Sequence, residues 1–405
     1  MEGMSLSVRI RLSAMMFLQY MMFAVFWVQM AGYLTNIGIE GSYKAWILSV
    51  MPLGCLIAPV FCMIADRHFA SQKILTVLNV ACAVLFFLAA RQTSAPALFA
   101  LLLLAMFCYM PTWSLTNAIA MANAPSEKFP QIRVFGSIGW VASAAFSLIA
   151  ATSLFGNRSI DGTAIPLYCG AGTALLAALL SLTLPNTPPP AKGKEASVVD
   201  ALGLRALGLM KDRNFALFII ISMLVMIPFT LYFSLGSQFF LSQGFEKVTA
   251  TMNLGQFVEI FLMLLVPLAL ARFGAKWTMA LGLLALAIRY FALWGGIAAE
   301  QTVMYYVAIL IHGVIFGFFI VGGQVYADKK APPEMRAQAQ GLIVLMCFGV
   351  GMLLGTFFNV EIIERYTTDG VCNWKPVFMV AAVMSVVLLA ALVALFKNDV
   401  KEAAA

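Results

Sequence analysis

Charge is scarce in this chain. Asp, Glu, Lys and Arg supply 11% of its 405 residues, while 62% are hydrophobic. A soluble domain carries roughly 25% charged and 45–50% apolar residues, so the deficit excludes a soluble globule and a disordered chain alike. Catalytic signatures are also missing. There is no Walker A sequence, no HExxH pair and no Gly-x-Ser-x-Gly elbow, so a P-loop ATPase is excluded and an intramembrane enzyme is disfavoured. Histidine occurs only twice. The seven cysteines (55, 62, 82, 108, 169, 347 and 372) show no CxxC and no Cys/His ligand spacing, and all but Cys372 lie in apolar runs, as small packing residues do. No metal and no cofactor is expected. No stretch is polar and long enough for a second, soluble domain.

What the chain has is apolar sequence in blocks, with a mean hydropathy of +0.93. Runs near 12–34, 45–64, 74–90, 97–121, 132–155, 164–184, 214–240, 249–271, 277–297, 302–326, 338–360 and 376–396 are each about as long as a membrane-crossing helix. They lack the ten-residue alternation of a membrane barrel. The fold class is therefore an all-α membrane protein with twelve spans. The first run is too long for the core of a secretory signal and has no clear cleavage site, so it reads as a span. The longest polar break, 185–213, carries Pro188, Pro189 and Pro190 and then Lys192, Lys194, Glu195 and Asp200. It divides the chain into an N-terminal six-helix half (1–184), a linker (185–213) and a C-terminal six-helix half (214–405). Within the linker, 198–210 has the residues of a short interfacial helix or of a strand of linker lying on the membrane.

The formal net charge is +7. The basic residues are scattered through loops, which is unlike a nucleic-acid patch. With twelve spans, eighteen of the 25 Lys and Arg residues fall on the side of the termini and the linker, six on the other, and Arg289 inside a span. The positive-inside rule then places both termini and the linker in the cytoplasm. A weak repeat supports two related halves: Ala65-Asp66-Arg67-His68 follows the second span and Ala271-Arg272-Phe273-Gly274-Ala275-Lys276 follows the eighth. Secondary transporters are often built from such halves, with the site at the bilayer midplane.

An ionisable residue at mid-membrane is costly and marks a candidate site. Glu259 lies halfway along the eighth span, three residues after Gln256, so an amide and a carboxyl share one helix face. Two readings stand beside each other: a proton-coupling acid, or a structural ion pair with Arg289 or Arg133. Arg133, Ser137 and Trp140 follow i, i+4, i+7, so a guanidinium, a hydroxyl and an indole share a face, with Gly136 and Gly139 allowing close helix packing. They read as a binding face for a polar, ring-bearing solute, or as a snorkelling arginine beside a packed tryptophan. His312 is a proton relay or a packed histidine, and Arg289 a functional cation or the partner of a buried acid. Asp66 and Arg67 read as a gating-loop charge pair. Gly349, Gly351 and Gly355 read as helix packing and not as a nucleotide loop, because no strand precedes them.

Five stretches resemble the nucleoside:proton symporters of the major facilitator superfamily. They are Tyr109-Met110-Pro111-Thr112 with Leu115-Thr116-Asn117; Phe129-Pro130-Gln131-Ile132-Arg133 with Gly136-Ser137-Ile138-Gly139-Trp140; Gln256-Phe257-Val258-Glu259; His312-Gly313 with Phe318-Phe319 and Gly322-Gly323-Gln324-Val325-Tyr326; and Arg336-Ala337-Gln338-Ala339-Gln340-Gly341. With the span positions they cover nearly the whole chain. The superfamily loop motif is degraded, with Cys62 at its usual glycine.

The resemblance implies a major facilitator fold, alternating access and proton-coupled import of a nucleoside or nucleoside-like solute across the bacterial inner membrane. It implies substrate contacts at Arg133, Gln256 and Glu259, with Ser137 for a family threonine, Trp140 for a phenylalanine, and Phe316 completing the set. Glu259 is the implied proton-coupling group. Thr230 and Phe233 stand where the family has a glutamine and an asparagine, and Gly317 where it has an aspartate. A site without those groups should discriminate differently. The implied partners are the solute, protons and the bilayer, with no nucleic acid, and the chain is expected to be a monomer. The rivals are a permease for another small polar metabolite and a non-transporting membrane sensor on the same fold.

Overall fold

In hydrocarbon every backbone N–H and C=O must be satisfied within the segment, so long apolar runs become helices. A computed structural model of the chain describes residues 5–125, 128–189, 199, 204–332 and 335–399, the side chains of 60–68, 130, 205 and 337 excepted. Among these residues the apolar runs are α1 (Leu6–Asn36), α2 (Gly41–Pro59, its helix continuing to His68), α3 (Ser71–Ala89), α4 (Ala95–Asn123), α5 (Gln131–Ala150), the shorter α6 (Ile165–Ser181) and α7 (Arg213–Ser242). Next comes a helical run over Val248–Ala298 whose 51 residues are too many for one crossing. It breaks at Gly274, where φ is 71° and ψ 171°, a left-handed conformation that only glycine adopts without cost. The two pieces are α8 (248–273) and α9 (275–298). The chain ends with α10 (Thr302–Lys330), α11 (Gln338–Arg365) and α12 (Trp374–Leu395). Each of the twelve runs expected from sequence thus contains a helix. Of the expected interfacial stretch, Leu204–Lys211 is a 3-10 helix, and most of the rest lies outside the described residues, as do the side chains of Cys62, Asp66 and Arg67.

One extramembrane element was not foreseen. Thr367–Thr368 and Val371–Cys372 pair as a two-stranded hairpin between α11 and α12. Its turn is Asp369-Gly370, both with positive φ, of 49° and 78°, the dipeptide that suits a tight two-residue turn.

Two compact units can be distinguished, Met1–Ala201 with Ser234–Asn253, and Leu202–Phe233 with Leu254–Ala405. In the first, α1 packs on α5 and α6. Gly139 makes the α1–α5 approach possible: a Cβ there would lie 2.1 Å from the carbonyl oxygen of Phe17 and 2.8 Å from its carbon. Backbone cannot yield as a side chain can, so even alanine would push the helices apart. Several buried polar groups are paired across helices. Gln19 of α1 donates to Asn79 of α3 at 3.2 Å and to Thr112 of α4 at 2.6 Å, and the Tyr109 hydroxyl donates to the Gln19 carbonyl at 2.9 Å. Asp161, between α5 and α6, accepts from the Thr249 N–H at 2.8 Å, the Thr249 hydroxyl at 2.9 Å and the Ser147 hydroxyl at 3.1 Å. It therefore caps the start of α8, where the helix dipole favours a carboxylate. Burial pushes its pKa above the ordinary value, and these bonds pull it back.

The second unit has its own tie. Asp212 caps α7 by accepting from the N–H groups of Asn214 and Phe215 at 2.9 and 3.0 Å. Lys330, at the end of α10, bonds Asp212 at 2.8 Å and Asp399 at 2.6 Å. The Lys330 bond leads the interactions that hold the Asp212 carboxyl below its ordinary range. The tie is therefore in place above the usual carboxylate pKa and fades as pH falls through the lowered one. Gly351 and Gly355 of α11 press on the backbone of α7, their Cβ positions lying 2.6 Å from Met223 O and 3.0 Å from the Ile227 Cα, so these glycines serve helix packing.

Candidate functional site

Two glycines in the second unit bring α8 and α10 together. A Cβ on Gly313 would lie 2.6 Å from the Cα of Glu259, and one on Gly255 would lie 2.6 Å from the Ile309 carbonyl oxygen and 2.9 Å from the His312 Cβ. With no side chains in the way, the helices touch at Glu259 and His312. The His312 Nε2 lies 3.1 Å from the Gln256 amide nitrogen and 3.4 Å from Glu259 Oε2. The other ring nitrogen, Nδ1, lies 2.9 Å from Nη2 of Arg289 on α9. Arg289 also donates from Nε to the Ala308 carbonyl at 3.0 Å, and its guanidinium carbon sits 4.0 Å from the centre of the Tyr232 ring. Arg289 is fully buried and Glu259 is 9% exposed. Arg289 makes no ion pair with Glu259 among the described residues; the two are connected through the imidazole. Arg289 Nη1 has no hydrogen-bond partner there.

Aromatic rings enclose this cluster. Phe229, Tyr232 and Phe316 lie 6.2, 5.9 and 6.2 Å from the His312 ring, centre to centre. Phe229 stacks in turn on Phe233 at 5.6 Å. Phe316 and Gly317 belong to a π-helical stretch, Ile315–Val321, a wide turn of the kind often found at functional sites. A proline also interrupts the hydrogen-bond ladder of α7. Pro228 lacks the N–H that would continue the ladder, and side chains supply donors beside it: Asn359 to the Ile227 carbonyl at 2.8 Å and the Tyr290 hydroxyl to the Pro228 carbonyl.

The positions that depart from the family pattern are closed or apolar. Thr230 is buried, and its hydroxyl donates at 2.6 Å to the Met226 carbonyl of its own helix. A Cβ on Gly317 would meet Val266 Cγ2 at 3.3 Å and Met263 Cγ at 3.8 Å. Met263 and Val266 come four and seven residues after Glu259 on α8, across a 3-10 turn at Met263–Leu265. Both also line a largely apolar cavity of about 320 Å³ with Pro267, Leu270, Val321 and Val325, and Lys329 also lines it.

In the first unit, Arg133, Ser137 and Trp140 are half-buried, and each directly follows a buried residue, Ile132, Gly136 and Gly139. The Arg133 guanidinium lies 4.5 Å from the centre of the Tyr20 ring, within cation–π range. Tyr20 stacks on Trp113 at 5.6 Å and 17°. Trp140 meets Phe23 edge-on at 5.9 Å, and its carbonyl accepts from Asn253 at 3.3 Å.

Each unit thus assembles its own share of the expected residues: Gln256, Glu259 and Phe316 in one, Arg133, Ser137 and Trp140 in the other. Tyr20, Trp113, Phe229 and Tyr232 were missed. As aromatics in apolar spans they carry no sequence signal that separates ring-stacking from core packing. In the second unit the groups can donate hydrogen bonds and hold one acidic proton; in the first, a guanidinium and an indole lie beside aromatic rings.

Residues 4–401 match the family model described as nucleoside H+ symporter. The putative nucleoside transporter YegT of Escherichia coli (strain K12) is 36% identical over 405 residues, covering 97% of this chain and 94% of its own length. The nucleoside permease NupG of the same organism is 28% identical over 412 residues, covering 97% and 96%. A crystal structure of the nucleoside transporter NupG superposes with a TM-score of 0.85 at 26% identity, over 97% of this chain and all of that one. A D-xylose–proton symporter shares the fold at 14% identity with a TM-score of 0.71.

Proposed function

Because the chain belongs to the nucleoside H+ symporter family and has the major facilitator fold, we propose that Glu259 loads and releases the proton that drives import of a nucleoside or a close relative. The protein is a multi-pass secondary transporter and not an enzyme, and its substrates are a small molecule and a proton. The observation that carries the assignment of Glu259 is its setting. It is an acid in a span, beside an amide and an imidazole, with the fully buried Arg289 one ring away. A carboxylate at mid-span costs about 2.5–3.5 kcal/mol, and protonation removes that cost, so proton loading changes the free energy of the span directly. Arg133 and Gln256 supply hydrogen-bond donors to the solute, Ser137 a hydroxyl, and Trp140 and Phe316 flat apolar surface; Thr230, Phe233 and Gly317 complete the lining without adding free polar groups.

The test is uptake by purified protein in proteoliposomes, with uridine and adenosine, under an imposed inward proton gradient. Accumulation that a protonophore abolishes is expected. Accumulation that ignores both pH gradient and membrane potential would sink the symport reading.

The orientation forms part of the same reading. Two six-helix halves, 1–184 and 214–405, are joined by a cytoplasmic linker, with both termini cytoplasmic in the bacterial inner membrane and the protein acting as a monomer. The eighteen-to-six distribution of basic residues supports it. A Lys211→Cys variant in a cysteine-free background should react with a membrane-impermeant maleimide only after permeabilisation, because Lys211 is exposed on the linker side. Labelling of intact cells would reverse the orientation.

A further inference from the structure

We propose that Arg289 and His312 are positioning residues: Arg289 locks His312 as the neutral Nε2–H tautomer, and His312 then holds Glu259 as a fixed hydrogen-bond donor without carrying the transported proton. This rests on the reading that Glu259 loads the proton, and adds how its surroundings are organised.

The polarity follows from which groups can donate. Arginine is always protonated and has donors but no acceptor. Its Nη2 lies 2.9 Å from Nδ1 of His312, so Nδ1 must accept, and the single proton of a neutral ring is on Nε2. That N–H points at Gln256 and Glu259, at 3.1 and 3.4 Å. Two consequences follow. The Gln256 amide must turn its oxygen to the ring, since two N–H groups cannot bond each other; amide orientation is set by the network in this way. The Gln256 NH2 is thereby left for an acceptor on the solute. His312 also cannot take up a second proton without expelling Arg289, because the only site for it is the Nδ1 lone pair already in use. The groups facing the ring are Phe229 and Tyr232 from α7, Gln256 and Glu259 from α8, Arg289 from α9 and Phe316 from α10. Among them the permanent charge is a cation touching Nδ1, which opposes an imidazolium; the acid faces the opposite nitrogen, which already carries its proton.

The chain has two histidines, His68 and His312, so selective 15N-histidine labelling gives spectra that a His68→Gln variant assigns. Between about pH 5 and pH 8, where a free imidazole titrates, His312 should show one protonated nitrogen, Nε2, and one unprotonated nitrogen. A ring that becomes an imidazolium in that range, or that carries its proton on Nδ1, would overturn the proposal. This arm needs no transport, so it separates a failure here from a failure of the symport reading.

Transport supplies the second arm. The amide of His312→Gln has an acceptor and a donor but does not titrate. Uptake should slow by about tenfold from imperfect geometry, as a small misplacement can cost, while its pH profile stays in place. His312→Phe removes the donor, and a carboxylate that has lost a donor holds its proton more firmly. Its profile should move by about one pH unit toward alkaline pH. Loss of proton-driven accumulation in His312→Gln with exchange intact would show that the imidazole itself carries the proton. Coincident profiles for wild type and His312→Phe would show that the ring does not act on Glu259.

Discussion

Replacing Glu259 by Gln should leave the protein able to exchange solute across the membrane but unable to concentrate it. The substitution keeps the size of the side chain and an oxygen that can accept from the His312 Nε2–H, now 3.4 Å from the carboxylate. Packing against Gly313 is unchanged, since that contact involves the Glu259 backbone. Only the titratable proton is lost. One pH unit is worth 1.36 kcal/mol, so a one-to-one symporter under a one-unit gradient can accumulate its solute about tenfold. The variant should settle at a ratio of about one under the same gradient, while counterflow of labelled solute against unlabelled solute persists. Proteoliposomes preloaded with unlabelled nucleoside measure both quantities in one preparation. Accumulation by the variant would remove Glu259 from the coupling role.

The second large effect concerns selectivity. The residues that depart from the family pattern leave the site short of side-chain donors and acceptors. The Thr230 hydroxyl is committed to Met226, Phe233 stacks on Phe229, and Gly317 faces Val266 and Met263. If these residues line the solute path as proposed, contact along this wall is by shape and stacking, and ribose hydroxyls contribute little. A neutral hydrogen bond is worth roughly 0.5–1.5 kcal/mol net, so two or three absent bonds weaken binding of an ordinary nucleoside by about tenfold to a thousandfold. Calorimetry on the wild type should therefore find similar, weak affinities for uridine, adenosine and their 2′-deoxy forms. Gly317→Asp with Phe233→Asn should tighten binding of the ribonucleosides. Val266→Ala belongs in the same variant, because Val266 Cγ2 stands 3.3 Å from the new Cβ. Tight wild-type binding that collapses without the 2′-hydroxyl would mean that other residues read the ribose.

The spans were legible because length and hydrophobicity alone decide them. The break at Gly274 was also visible, as a basic turn carrying a glycine between two apolar runs. Spacing within one helix made two groupings legible, since i, i+3, i+4 and i+7 relations hold for any straight helix: Gln256 with Glu259, and Arg133 with Ser137 and Trp140. What could not be read was anything that depends on which way neighbouring helices face. Arg289 and His312 each stood out as an ionisable residue in a span, but their contact depends on how α9 and α10 are rotated against each other. Tyr20 beneath Arg133 comes from a different helix, and nothing distinguishes it in sequence from Tyr109 or Tyr290. Thr230 stands where the family has a glutamine, and sequence does not show that its donor goes to its own backbone, an internal bond common for threonine in helices.

The burial of Arg289 bears on how the chain enters the membrane. An arginine at the centre of a lone span opposes insertion by about 2.5–3.5 kcal/mol. Arg289 meets its partners on the helix made immediately afterwards, at the Ala308 carbonyl and the His312 ring, and only residues 299–301 separate the two helices. The favourable unit of insertion is therefore the α9–α10 hairpin. During synthesis α9 gains from waiting at the translocon until α10 has emerged and the guanidinium can enter the lipid already bonded.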